Sequence, residues 1–242
     1  MTSFDRLLRS TPARLDAGRA GSRPRTGALL RFRTDHAAAC DAVRSQWSDD
    51  FVAHLRTRGF LVVSSAAADR DSFVRNPGLG RQLAAGEADR LRAAVVAQET
   101  RRADAERPLV QLVLSDGLSA VAGERHADAI VPRLFELLGG FLRIAPPVAV
   151  RNGRVAIGDQ IAGATGAQLV IHLIGERPGL SSAESLGCYL TYAPGPATTD
   201  ADRKCISNIH AAGLDPIEAA ATIAGVAQRI IAARTSGTAC VL

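Results

Sequence analysis

The chain has 242 residues, 47% of them hydrophobic, and a net charge of +5. That length makes one large domain or two small ones and suffices to bury a real core. No window approaches the ~18 uninterrupted apolar residues of a membrane-spanning helix. Met1-Thr-Ser-Phe-Asp-Arg-Leu-Leu-Arg carries no apolar signal core, so the expectation is a cytoplasmic protein without a membrane partner.

The basic charge is local. The first 60 residues hold 11 arginines against 6 carboxylates, and the remainder balances. Residues 1–27 read as an arm, typified by Arg19-Ala-Gly-Ser-Arg-Pro-Arg-Thr-Gly. Such a segment cannot form a core alone; it is disordered or laid across another surface. A basic arm can also bind nucleic acid, but aromatic interleaving is thin and no nucleic-acid motif accompanies it. No nucleic-acid partner is expected.

Residues 26–47 are predicted as a helix capped by Thr26, with Leu29, Phe32, His36 and Val43 suggesting one apolar side. Phe60-Leu-Val-Val reads as a strand, and 71–81 as a loop broken by Pro77 and Gly80. Residues 82–100 return to helix, with Leu83, Leu91 and Val95 on one side. At Pro108 the pattern changes. Leu109-Val-Gln-Leu-Val-Leu is a buried-strand run, followed by the turn Ser115-Asp-Gly-Leu-Ser. A helix is predicted over 128–141, a strand at Val148-Ala-Val and a short helix over 159–167. The buried run Leu169-Val-Ile-His-Leu-Ile follows, then an alternating strand over 186–192, and a last helix over 216–234. Thr199-Asp-Ala-Asp offers cap chemistry for a helical region before that helix.

This order implies an α/β fold: a Rossmann-like, mostly parallel sheet with flanking helices, preceded by a mainly helical N-terminal region. The expected division is an arm and helical part over 1–107 and a Rossmann-like domain over 108–242.

No catalytic or metal-ligating set stands out. Five histidines lack H-E-x-x-H spacing, and there is no Walker A loop, G-x-S-x-G elbow or well-placed G-x-G-x-x-G. Cys40, Cys188, Cys205 and Cys240 include no C-x-x-C pair and read as four free thiols. His172, inside an apolar strand, reads as a packed histidine. The polar loops are more informative. Ser115-Asp-Gly-Leu-Ser brings N–H groups and a carboxylate to a strand end, or simply caps the next helix. Gly175-Glu-Arg-Pro-Gly sets Glu176 and Arg177 at the sheet edge, either paired with each other or with Glu176 free to accept from a ligand. Cys205-Ile-Ser-Asn-Ile reads as a second loop, its cysteine either a small buried hydrophobe or part of a site. From the residues alone, a stand-alone Rossmann-like cofactor- or nucleotide-binding module remains open, as does a basic structural protein binding nucleic acid through its arm.

Several of these stretches, in one order, resemble a known family. They are Gly18-Arg-Ala-Gly-Ser-Arg-Pro-Arg-Thr, Asn76-Pro-Gly-Leu-Gly-Arg, Ser115-Asp-Gly-Leu-Ser, Gly153-Arg-Val-x-Ile-x-Asp-Gln, Ile174-Gly-Glu-Arg-Pro-Gly-Leu, Glu184-Ser-Leu-x-Cys-Tyr, Ala197-Thr-Thr and Cys205-Ile-Ser-Asn-Ile-His. Together they resemble the small (light) subunit of ethanolamine ammonia-lyase across nearly the whole chain. The resemblance implies an adenosylcobalamin-dependent lyase that converts ethanolamine to acetaldehyde and ammonia by radical chemistry. It implies a TIM-barrel large subunit with most of the catalytic groups, six of each chain in the assembly, and cobalamin held between the two kinds of chain. By position in the motifs, Val155, Glu176 and Cys205 match the cobalamin contacts, with no catalytic residue on this chain. Val155 would pack on the corrin or offer backbone to it, Glu176 would accept from a corrin amide, and Cys205 would line the site.

The Asp-x-His-x-x-Gly pattern of base-off cobalamin proteins is absent, since His36 follows Asp35 directly. The cofactor is therefore expected base-on. Relatives with a longer N-terminal extension can be directed to a bacterial microcompartment. This chain starts near the shared pattern, so the cytoplasm is the first expectation and a microcompartment the second. The arm is then expected to be interface.

Overall fold

The structure, a computed structural model, describes residues 3–11, 13–15, 17–99 and 106–240. The arm holds helix α1 (Ser3–Ser10) and a two-stranded hairpin, β1 (Arg19–Ala20) and β2 (Arg23–Pro24). It lies on the rest of the chain: Arg14 pairs with Asp35 and donates to the Leu180 carbonyl at 3.2 Å. Then come α2 (Thr26–Arg44), α3 (Asp49–Thr57), β3 (Leu61–Ser64), α4 (Arg70–Arg75) and α5 (Glu87–Glu99). The predicted end of α5 at Thr100 lies outside the described residues.

The C-terminal part runs β4 (Leu109–Ser115), α6 (Ala120–Gly139), β5 (Arg143–Ile144), β6 (Val148–Arg151), α7 (Ile157–Thr165), β7 (Leu169–Gly175), β8 (Leu186–Tyr192), β9 (Arg203–Ile209) and α8 (Pro216–Ala233). One sheet takes the order β3-β6-β4-β7-β8-β9. β3, β6, β4 and β7 are parallel, and β8 and β9 are antiparallel additions. β5 pairs with Leu109–Val110 and β6 with Val113–Ser115, on the same side of β4. Pro146 and Pro147, which cannot donate to a ladder, separate the two. The mostly parallel α/β sheet with a helical N-terminal part is as the sequence implies, and the strand from that N-terminal part, β3, is one edge of it.

Alternation along the strands builds two cores. Val110, Leu112 and Leu114 face α6 together with Ile171, Leu173 and Leu190, and α3 and α8 close that side. Leu109, Val113, Val150 and Val170 face the other way, onto Leu91 and Val95 of α5 and Ile157 and Ile161 of α7. The covering is unequal. α8 packs on β8 and β9, but α7 on the opposite face packs on β4 and β7. The α7 face of β8 and β9 is left open, and Cys205 and Ser207 are exposed there.

Several sequence expectations change. Thr26 is the first helical residue of α2 rather than its cap: β2 ends at Pro24, so Arg25 takes the extended flanking position and makes no side-chain cap bond. The apolar side of α2 is poorly covered, with Leu29 37% and Phe32 44% exposed and His36 stacked on Phe32. α3 and α4 were not predicted. Each is short, and each is started by a capping side chain, Ser48 onto the Phe51 N–H and Asp69 onto the Ser72 N–H. α6 begins at Ala120, ahead of its apolar stripe, in an alanine-rich run that favours helix without periodicity. The largest correction concerns Cys205-Ile-Ser-Asn-Ile, which is strand β9 and not a loop. Its open face is polar, so the hydrophobic signal of a strand is missing. The Thr199–Asp202 capping box does form, but it closes a single 3₁₀ turn that leads into β9.

Candidate functional site

The carboxyl ends of β4, β6 and β7 deliver three loops to one edge of the sheet, the usual place for a ligand in an open α/β fold. The Asp116 loop after β4 turns inward. Its carboxylate is 2% exposed and accepts from the Asn152 and Gly153 N–H groups at 2.9 and 3.3 Å, with Arg70 at 3.6 Å. Burial pushes the Asp116 carboxyl up to about 6 against those bonds. Asp116 therefore braces the next loop rather than facing a ligand. Asn152 sits at φ 57, where asparagine is better tolerated than most residues.

The loop after β6 carries Val155, half-buried at the rim. Its carbonyl is occupied twice, accepting from the Gly158 N–H and from His172 Nδ1, both at 3.1 Å. A carbonyl only accepts, so the His172 proton is on Nδ1, and Nε2 accepts from the Ser115 hydroxyl at 2.7 Å. His172 is 1% exposed, and burial pushes its pKa down to about 4. It is the packed histidine the sequence suggested, acting as a neutral strut between β4, β7 and the Val155 loop. With the carbonyl committed inward, Val155 meets the groove through its side chain.

The loop after β7 carries Glu176. The expected alternative of a Glu176–Arg177 brace does not form. Glu176 Oε2 instead accepts from the Ser185 hydroxyl at 2.5 Å and the Asn208 N–H at 3.3 Å. Oε1 takes no hydrogen bond from a described residue. Gly187 lies beneath it, and a Cβ there would come within 2.8 Å of that oxygen. The carboxylate is fixed by one oxygen and presents the other.

Cys205 is exposed on β9, directly across the ladder from Tyr189, which in turn pairs with His172. Laterally paired residues share a face, so Tyr189 and Cys205 stand beside the His172–Val155 strut. The tyrosine and the thiol are neighbours across the ladder. Partial burial, together with the nearby Glu176 carboxylate, raises the Cys205 thiol pKa, and the Tyr189 hydroxyl opposes that rise. Burial, with Cys205 next to it, pushes Tyr189 up to about 12. Cys205 is thus a neutral thiol in a site wall and a poor nucleophile.

The structure therefore brings Val155, Glu176 and Cys205 around one residue the sequence reading did not single out, Tyr189. Two adjoining grooves of about 360 and 340 Å³ share Tyr189, Val155 and Arg154. Tyr189 was legible as the outward member of the alternation in β8, where Leu186, Cys188 and Leu190 are buried. Arg203 borders the second groove but is held internally, donating to both Asp159 oxygens at 2.8 and 2.7 Å, which ties β9 to α7. Among the described residues, no group of three or more His, Cys, Asp or Glu side chains is arranged to hold a metal ion. No helix among them is long and apolar enough to cross a membrane.

The family model described as the ethanolamine ammonia-lyase light chain (EutC) matches residues 2–240. The chain belongs to that family. It is accordingly a light-chain component of an ammonia-lyase, and its partner is the large subunit of that enzyme.

Proposed function

We propose, taking light-chain membership as the premise, that this chain forms one wall of the adenosylcobalamin site of ethanolamine ammonia-lyase, with the large subunit forming the other. The observation that carries the reading is the open face of β8 and β9. Val155, Glu176 and Tyr189 line the adjoining grooves at its edge, and Cys205 stands next to Tyr189 across the β8–β9 ladder.

The residues present fit the group. A corrin offers a broad apolar surface fringed by neutral amides. It calls for apolar contact, for acceptors at the amide N–H groups, and for room. Val155 supplies apolar contact through its side chain. Glu176 supplies an acceptor, and its orientation is set beforehand by Ser185 and Asn208. Gly187 leaves space for that carboxylate. Cys205 and Tyr189 supply a neutral surface that neither attacks nor titrates near neutrality. When bound, adenosylcobalamin supplies radical chemistry through homolysis of its cobalt–carbon bond, by which ethanolamine becomes acetaldehyde and ammonia. This chain holds the group and excludes water, and it needs no acid–base dyad for that task. His172 is buried and neutral with both ring nitrogens engaged, which suits a cofactor bound base-on with its own benzimidazole on cobalt. In this reading residues 108–242 form the cobalamin-binding part, 1–107 the arm and helical part, and the assembly contains six of each chain.

The test is co-expression with the large subunit, followed by gel filtration with adenosylcobalamin. The expected result is co-elution of both chains with the corrinoid. A complex that assembles yet retains none overturns the reading.

A further inference from the structure

Beside the proposed wall lies a concentration of positive charge. Arg154 follows Gly153 on the loop after β6, and its guanidinium lies 4.6 Å from the centroid of the Phe73 ring. Arg70 sits over the same ring at 4.9 Å. Phe73 is fully buried, and a Cβ at Gly80 would come within 2.7 Å of its ring and 2.8 Å of Arg154 Cγ. The Arg154 head is thus held on a packed platform rather than left on a free stem.

The charges acting most strongly on it are arginines, although Asp116 lies 3.6 Å from Arg70, and Glu176 and Asp200 line the same grooves. Among the described residues, Arg154, Arg81 and Arg177 form no salt bridge and no side-chain hydrogen bond. Arg154 Nε is buried and unpartnered, and so is Arg70 Nη2. Burial, with repulsion from Arg70, Arg177 and Arg81, holds Arg154 below the ordinary arginine pKa. Arginine heads partly withdrawn from water without a direct anionic partner are unfavourable, and an oxyanion ligand would relieve that. The cluster also borders the right place. Arg154 and Arg177 line the groove that contains Glu176 and Tyr189, and Arg154 and Arg81 line the adjoining one.

We infer that Arg154, flanked by Arg81 and Arg177, forms an oxyanion subsite for the phosphodiester of the cofactor's nucleotide loop. The inference rests on the cobalamin reading above. The side-chain amides of a corrin are neutral, whereas the phosphodiester carries one fixed negative charge. A planar guanidinium fork suits that group better than it suits an amide fringe. Glu176 and Arg154 then divide one ligand between them, the carboxylate taking amide N–H groups and the arginine taking phosphate oxygen.

The experiment uses the complex of light chain and large subunit. It compares equilibrium binding of adenosylcobalamin with that of adenosylcobinamide, which lacks the phosphodiester and the base beyond it. Arg154→Met is expected to weaken adenosylcobalamin about tenfold while changing adenosylcobinamide less than about twofold. Arg154→Lys should recover part of the loss, and Arg177→Gln should show a smaller loss with the same selectivity. Equal weakening of both corrinoids overturns the subsite. So does loss of subunit association without any corrinoid, which would mean that a partner carboxylate fills the cluster. If Arg154→Met does not fold, Arg177→Gln and Arg81→Gln decide, and unchanged selectivity in both overturns it. A wild-type complex that binds neither corrinoid sinks the cobalamin reading together with this one. A wild-type complex that binds both, with variants blind to the difference, sinks the subsite alone.

Discussion

The sheet has two halves built on different terms. β3, β6, β4 and β7 are packed on both faces, and β4 and β7 are buried along their whole length. β8 and β9 are covered by α8 on one face, and only the first and last residues of β9 are buried. The closed half spends its residues on cohesion. The open half exposes a tyrosine, a thiol and a fixed carboxylate, and it is there that the proposed site lies. Stability and ligand contact are thereby separated along one sheet, and substitutions in the two halves should fail in different ways.

The sharpest contrast is expected from Leu173→Ala. Leu173 is 0% exposed, and truncating a buried leucine costs about 3 kcal/mol. Urea denaturation should register that loss, while the folded fraction keeps its cobalamin affinity. A comparable loss of affinity in folded protein would break the separation.

Next comes pH. His172 is pushed down to about 4 and Asp116 up to about 6, both by burial. The unfolded chain binds a proton at histidine below its ordinary value of 6.5 while the folded chain refuses it, so stability falls as pH drops from 6.5 towards 4. Asp116 works in the opposite sense. Folded Asp116 binds a proton between about 6 and 3.8, so stability rises as pH drops through that window. The two act in opposite senses over overlapping pH ranges. Asp116→Asn should unmask the histidine, and its stability should fall more steeply than wild type between pH 6 and 4. Parallel pH profiles would show that Asp116 does not hold an extra proton in the folded state.

A smaller effect is expected from Glu176→Gln, with about tenfold weaker cobalamin binding by the complex, near 1.4 kcal/mol. Its melting temperature should move little. An equal melting loss with unchanged affinity would reassign Glu176 to bracing β9 through Asn208. Cys205→Ser, at an exposed position, should shift stability by less than about 0.5 kcal/mol. It should also leave the complex active, since no thiolate is invoked.

The same division explains what the sequence could show. Leu109–Ser115 and Leu169–Gly175 announce themselves because burial on both faces requires unbroken apolar runs. β9 does not, because its open face carries Cys205 and Ser207, and Ile206 and Ile209 are its only apolar residues. Glu176 and Cys205 stand out in their motifs, but their roles, and Val155 altogether, come from the family resemblance. That they share a surface depends on the β8–β9 register and on the His172 strut, neither of which is local in sequence. Arg154 stands beside Val155 in the same motif and went unread. Its meaning comes from Phe73, Gly80, Arg81 and Arg177, which lie far along the chain.

Among the described residues β9 is the last strand of its sheet, so one side of its backbone has no strand partner. The only lysine in 242 residues, Lys204, lies on that edge strand, opposite Leu190. Apart from the α-amino group at the start of the chain, it is the sole amine available for acylation. An adduct located on Lys204 by peptide mapping therefore gives the accessibility of a single strand. Comparing the free light chain with its complex turns the edge of the sheet into a built-in footprint of whatever covers it.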